Sequence, residues 1–315
     1  MVTLCPQGLL LVQAASLCRG HGNMFHPPIW QDRGGYTTHI GCGVLDLPKD
    51  TEFSEVRGKD PDCLVWWYSN NVVIPGHATI PGDMAQDEVT CLHQAGHYDD
   101  KKEFPWNAPG SAPTFGPCGT MGGNPLGCDG DSTGEFGDCC SHNCDGFALG
   151  KNAEEYSWPG EIPVTEWSAG SHQEVSWYVS ANHAGGYSYR LCRMPEEGIA
   201  GVTEDCFQET PLDFVGDKQW VMYRADHGND GTGQRTEVAA RRTREGTFPQ
   251  GSQWTANPLW PRYEEGGSSD YSQGQVIDMV EVPVDLEPGE YVLSFRWDCK
   301  CSPQVWGSCS NIVIL

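Results

Sequence analysis

Positive charge is scarce in this chain. Its 315 residues include 19 Lys and Arg against 43 Asp and Glu, a formal net charge of −24. A field of that sign repels phosphate backbones and anionic lipid, which argues against nucleic acid and membrane surfaces as partners. Long apolar runs are missing as well. After residue 20 nothing approaches the roughly 18 apolar residues that a membrane-crossing helix needs. No Asn-x-Ser/Thr triplet occurs, so N-glycosylation is not expected. No glycine loop sits between a strand and a helix to cradle phosphates, and there is no internal repeat or low-complexity linker.

What is abundant points to a turn-rich β protein: 39 Gly, 22 Pro, 12 Trp and 11 Tyr. Fifteen cysteines suit a disulfide framework in an oxidising compartment better than a cytosolic enzyme. Residues 1–20 read as a signal peptide. Leu9–Val12 is a short apolar core, and Cys18 and Gly20 are small residues at the −3 and −1 positions of a cut before His21. No Lys or Arg precedes that core, and Gln13 interrupts it. Such a cut removes Cys5 and Cys18 and leaves thirteen of the fifteen cysteines, an odd number. The expected mature protein is secreted and monomeric, a single domain over residues 21–315.

The clearest strands lie in the second half. Val175–Ala181 (VSWYVSA) is β-branched and aromatic, and Ser188–Met194 reads as its hairpin partner across Ala184-Gly185-Gly186. Gln275–Leu286 alternates, and Glu287-Pro288-Gly289 turns it into Tyr291–Cys299 (YVLSFRWDC). There Tyr291, Leu293, Phe295 and Trp297 share one face, and Ser294, Arg296 and Asp298 the other. Asn311–Leu315 is a last short strand. The spacing predicts an all-β fold, an antiparallel sandwich of the immunoglobulin or fibronectin-III kind. The Cys-, Gly- and Pro-rich stretch of about residues 105–150 has no usable period and reads as a long loop insertion held by disulfides, with Cys118, Cys128, Cys139, Cys140 and Cys144 as its staples.

Several patterns resemble metal sites. His93 and His97 (HQAGH) are spaced i, i+4, but Gln94 stands where a zinc protease needs its glutamate. Cys139-Cys140-Ser141-His142-Asn143-Cys144 fits disulfides better than zinc in a secreted chain. Asp129–Gly134 copies the first half of a calcium loop, but Cys140 occupies the place of the bidentate glutamate.

His21 is different. As the first residue of a mature chain it would carry an imidazole and a free α-amino group, whose pKa of about 8 lets a metal displace its proton at neutral pH. A second imidazole would complete a planar set of three nitrogens suited to copper. His183, at the end of an aromatic strand and just before Gly-Gly, is the partner this reading selects.

Three stretches in this order resemble the copper-dependent lytic polysaccharide monooxygenases, and among them the chitin-binding type-4 group. They are His21-Gly22 followed by Pro27-Pro28, Ser180–Cys192 (SANHAGGYSYRLC), and YVLSFRWDC with PQVWGSC and NIVI behind it. The resemblance implies one copper held by a brace of His21 and His183, with Ala181 packing beside it. Trp306 falls where that family has an axial Tyr or Phe, and Gln304 is the candidate donor to a bound oxygen species. It also implies oxidative cleavage of a polysaccharide such as chitin or cellulose, with an external electron donor and dioxygen or hydrogen peroxide. Trp30, Tyr36 and Trp158 are candidate rings for stacking on sugar. The alternatives are a non-catalytic carbohydrate-binding module of the same fold and a disulfide-rich protein that binds another protein through its acidic face.

Overall fold

The computed structural model describes residues 21–30, 67–69, 72–74, 76, 104–114, 116–119, 152–155, 161–223, 235–258, 274–301 and 304–315. Among them lie fourteen strands, one short α-helix and a few 3-10 turns. The strands are β1 (His21–His26), β2 (Trp67–Ser69), β3 (Val164–Trp167), β4 (His172–Ala181), β5 (Gly186–Arg193), β6 (Thr210–Pro211) and β7 (Asp213–Phe214). They continue as β8 (Lys218–Tyr223), β9 (Thr236–Ala239), β10 (Arg242–Thr243), β11 (Trp254–Ala256), β12 (Gly274–Glu281), β13 (Gly289–Asp298) and β14 (Gln304–Ile314). The helix, α1, is Glu204–Glu209, and its cap is Thr203, whose side chain accepts from the Cys206 amide. One sheet runs β1-β4-β12-β8-β9 with β7 beside β12. The other runs β10-β11-β5-β13-β14-β2 with β3 beside β14 and β6 beside β5. Pairing is antiparallel except where β3 runs parallel to β14. The fold is an immunoglobulin-like β-sandwich.

Alternation decides what lies between the sheets. Val175, Trp177 and Val179 of β4 face Tyr187, Tyr189 and Leu191 of β5 and Leu293, Phe295 and Trp297 of β13, all in one buried cluster. Trp177 sits at its centre, 5.0 Å from Tyr187, 5.3 Å from Phe295 and 5.2 Å from Trp297 between ring centroids. Burying a ring of this kind stabilises the fold by about 1.5–3 kcal/mol.

The expected β4–β5 hairpin does not form. β4 pairs with β1 and β12, and β5 with β11 and β13 in the opposite sheet. Two consecutive left-handed residues, Ala184 (φ 52°) and Gly185 (φ 85°), swing the chain from one sheet to the other. Both strands carry aromatic rows, and facing each other across the sandwich buries both at once. The last strand is also longer than its apolar end suggests. Ser308 and Ser310 extend it because they serve the backbone of the first segment: the Met24 amide donates to Ser308 Oγ at 3.0 Å, and Ser310 Oγ donates to the carbonyls of Pro27 and Pro28.

Arg296 and Asp298 stand on the face of β13 opposite the core, as alternation requires, yet both are buried. Residues 104–114 and 116–119, at the start of the expected loop insertion, lie over them. Gly110 donates its amide to Asp298 Oδ2 at 2.8 Å, and Arg296 reaches Thr114 Oγ1 at 2.8 Å and the Ala112 carbonyl at 3.0 Å. A disulfide from Cys118 to Cys309 fastens this segment to β14, and Cys192–Cys206 fastens α1 to β5. Cys301 is disulfide-bonded too, to a cysteine outside the described residues. Cys118 therefore staples the loop to the last strand; Cys128, Cys139, Cys140 and Cys144 lie outside the described residues.

Candidate functional site

The register of β1 on β4 places His21 opposite Ala181, two residues before His183. Gly22 makes this approach possible. A Cβ there would lie 2.9 Å from the Trp177 ring and 3.0 Å from that of Trp297, so only glycine lets β1 settle onto those rings. Trp297 also meets His183, whose ring centroid is 6.3 Å away in an edge-on arrangement. One indole thus joins the backbone beside His21 to the His183 ring.

His183 is 6% exposed and is presented by the turn that crosses between the sheets. Its carbonyl accepts from the amides of Lys300 and Cys301 at 3.2 and 3.0 Å. Ala184 offers its amide to Asn182 Oδ1 at 2.9 Å and takes the Trp297 Nε1 hydrogen on its carbonyl at 2.9 Å. At Gly185 a Cβ would come within 2.1 Å of the Asp298 carbonyl oxygen, so the turn is pressed onto the end of β13 as only glycine allows.

Gln304 and Trp306 lie two residues apart on β14, both buried. Trp306 stacks on Trp297 at 6.2 Å and 29°, and its Nε1 donates to Gln304 Oε1 at 3.3 Å. Trp297 therefore touches both His183 and Trp306. Trp30 is not a surface ring. It is fully buried with Phe207, Val292 and the Cys118–Cys309 disulfide, and its Nε1 donates to Asn311 Oδ1 at 2.8 Å. Tyr36, Trp158, His93, His97, His142 and Asp129–Gly134 lie outside the described residues. So does Gly130–Gly134 (GDSTG), which spells the G-x-S-x-G spacing of hydrolase nucleophiles.

A metal needs donors of the right chemistry. Among the described residues no three His, Cys, Asp or Glu gather into a ligand cluster. The His21–His183 pair needs none, since its third donor would be a main-chain amine. A set made wholly of nitrogen suits copper, and the strand register sets His21 opposite Ala181, two residues before His183. In donor chemistry the pair fits the ion.

No known protein family profile matches the sequence. Solved structures of similar fold include a lytic polysaccharide monooxygenase from Thermobia domestica in the Cu(I) state. It is 19% identical, covers 52% of this chain and 76% of its own, and has a TM-score of 0.28. The cellulose-active monooxygenase CelS2 in complex with copper is 14% identical over 94% of this chain and 99% of its own, with a TM-score of 0.35. A family 123 glycoside hydrolase from Clostridium perfringens is 8% identical over 49% of this chain and 23% of its own, with a TM-score of 0.24. Likeness at these scores carries no argument about chemistry.

Proposed function

We propose that the mature chain begins at His21 and is a secreted, copper-dependent monooxygenase that cleaves a polysaccharide such as chitin or cellulose. The observation that supports this reading best is the register that sets His21 against Ala181, two residues before His183. In the proposed site the α-amino and ring nitrogens of His21 and a ring nitrogen of His183 hold one copper ion. The amine, with its ordinary pKa of about 8, yields its proton to solvent when metal binds near neutral pH. Gln304 is the proposed polar donor beside the site and Trp306 the proposed axial shield. Copper held there supplies one-electron chemistry for oxidising a glycosidic linkage, with an external electron donor and dioxygen or hydrogen peroxide as co-reactants. The scaffold's part is placement: Trp297 and the Asn182–Gly186 turn hold His183 just past the end of β4 that faces His21. The described disulfides agree with secretion.

The test starts from the secreted protein, with its first residue read by mass spectrometry, then titrated with Cu(II). One copper per chain and a tetragonal electron-spin signal with nitrogen couplings are expected. His183→Ala is expected to abolish both tight binding and release of oxidised oligosaccharides, whereas His93→Ala and His97→Ala keep both. If His183→Ala binds one copper with an unchanged spectrum, the brace is wrong. Copper binding without oxidation of any glycan would favour a carbohydrate-binding module instead.

A further inference from the structure

We propose that Asn257 is the positioning residue of the His183 turn. The inference rests on the reading of His183 as a metal ligand; its structural basis is independent of that reading. Asn257 follows β11, whose Ala256 pairs with Gly186 at the start of β5. Its side-chain nitrogen donates to Asn182 Oδ1 at 2.7 Å and to the Ala184 carbonyl at 3.2 Å. Those are the residues immediately before and after His183. Its main-chain amide donates to the Gly185 carbonyl at 2.9 Å. One residue thus holds the side chain before the histidine and the carbonyls of the two residues after it.

The segment needs such a grip. Ala184 at φ 52° occupies a region that side chains with a Cβ rarely adopt, and Gly185 follows at φ 85°. Left alone, this pair would relax and turn the imidazole away from Trp297. Asn257 is well placed to prevent that. It is 2% exposed, and its carbonyl accepts from the Arg241 guanidinium at 2.7 Å. Its donor end is spent wholly on the turn, while its buried Oδ1 has no hydrogen-bond partner among the described residues. The chemistry admits few substitutes. Aspartate would set oxygens against the Asn182 and Ala184 oxygens, serine offers one donor, and alanine offers none.

The experiment compares the wild type with Asn257→Ala and Asn257→Ser, keeping only variants whose far-ultraviolet dichroism shows the native fold. Cu(II) titration and electron-spin spectra are read together with proton–carbon NMR of the His183 ring in the metal-free protein. Asn257→Ala is expected to weaken copper binding about tenfold or more and to change the nitrogen couplings. It should also shift the metal-free His183 ring signal and speed amide exchange at Ala184. Asn257→Ser should restore part of each. An unchanged spectrum, affinity and ring signal in Asn257→Ala would overturn the proposal. If the wild type binds no copper, the copper reading fails and the NMR arm alone decides. A His183 signal that moves in Asn257→Ala while signals near Trp167 stay put supports the positioning role, and one that does not move refutes it. Should Asn257→Ala not fold, Asn257→Ser is judged by the same criteria.

Discussion

Two buried polar clusters sit on opposite faces of the sheet that contains β5 and β13, and their carboxyls behave in opposite ways. Inside the sandwich, Asp278 Oδ2 lies 2.5 Å from the Tyr187 hydroxyl, which also meets Gln219 Oε1 at 2.9 Å; the nearest guanidinium, that of Arg242, stands 3.5 Å off. Burial dominates, and the phenol and Arg242 only temper it, so the carboxyl is pushed up to about 7. Outside, Glu204 is half-buried, and it pairs with Arg190 and, at 3.1 Å, with Arg296. Burial raises its pKa, the two guanidiniums outweigh that, and the carboxyl ends below its ordinary range. Arg296 in turn holds Asp298 at 2.7 Å. Burial alone does not set a carboxyl's charge; the number of cations within reach does.

That contrast can be broken most forcefully at its cationic centre. Arg296→Ala strands the buried Asp298 without a cation and leaves Glu204 to Arg190 alone, and it is expected to cost about 3–5 kcal/mol, read as a lower midpoint in urea unfolding. The inner cluster is next. Between an unfolded pKa of 3.8 and a folded value of about 7, the native state keeps a proton that the unfolded chain has lost. Stability from this group therefore falls as pH rises through that window, by about 1.4 kcal/mol per pH unit. Glu204 acts in the reverse sense, since its contribution is complete above the unfolded value and is lost as pH falls. Asp278→Asn should flatten the decline of urea midpoint from pH 4 to pH 7, leaving the share of Glu154, which burial also pushes up to about 7. Gly185→Ala, set against the Asp298 carbonyl, is expected to lower stability by about 1–3 kcal/mol, checked by thermal melting. The smallest effect belongs to an exposed pair. Arg235 grips Glu174 at 2.5 and 2.9 Å on the surface, and Glu174→Gln should change the urea midpoint by an amount equivalent to less than about 1 kcal/mol.

The sandwich was legible wherever apolar residues alternate, as in Tyr291, Leu293, Phe295 and Trp297. Which strands share a sheet was not, because a Gly-Gly turn looks the same whether it closes a hairpin or carries the chain across the core. The serines of β14 gave no strand signal, since their partners are carbonyls and amides of a segment 284 or fewer residues away. Arg296 and Asp298 read as the face opposite the core because nothing in the alternation announces that residues 104–114 and 116–119 lie over it. Trp30 offered a ring close to His21, and only its packing on the Cys118–Cys309 disulfide shows it to be internal. For the candidate site, the choice of His21 and His183 came from donor chemistry and position in the chain, and it belongs to the proposal. Asn257 carried no signal at all, for an asparagine before a proline reads as an ordinary turn.

The seating of β1 has a consequence for the order in which the molecule is assembled. The Met24 amide depends on Ser308, and the Trp30 amide donates to the Cys309 carbonyl at 2.9 Å. The stretch that follows His21 is thus docked on a strand made almost three hundred residues later. While the chain is being synthesised, that stretch has no seat on β14. Its docking waits until the last strand arrives, and the His21 end of the sandwich is completed only afterwards.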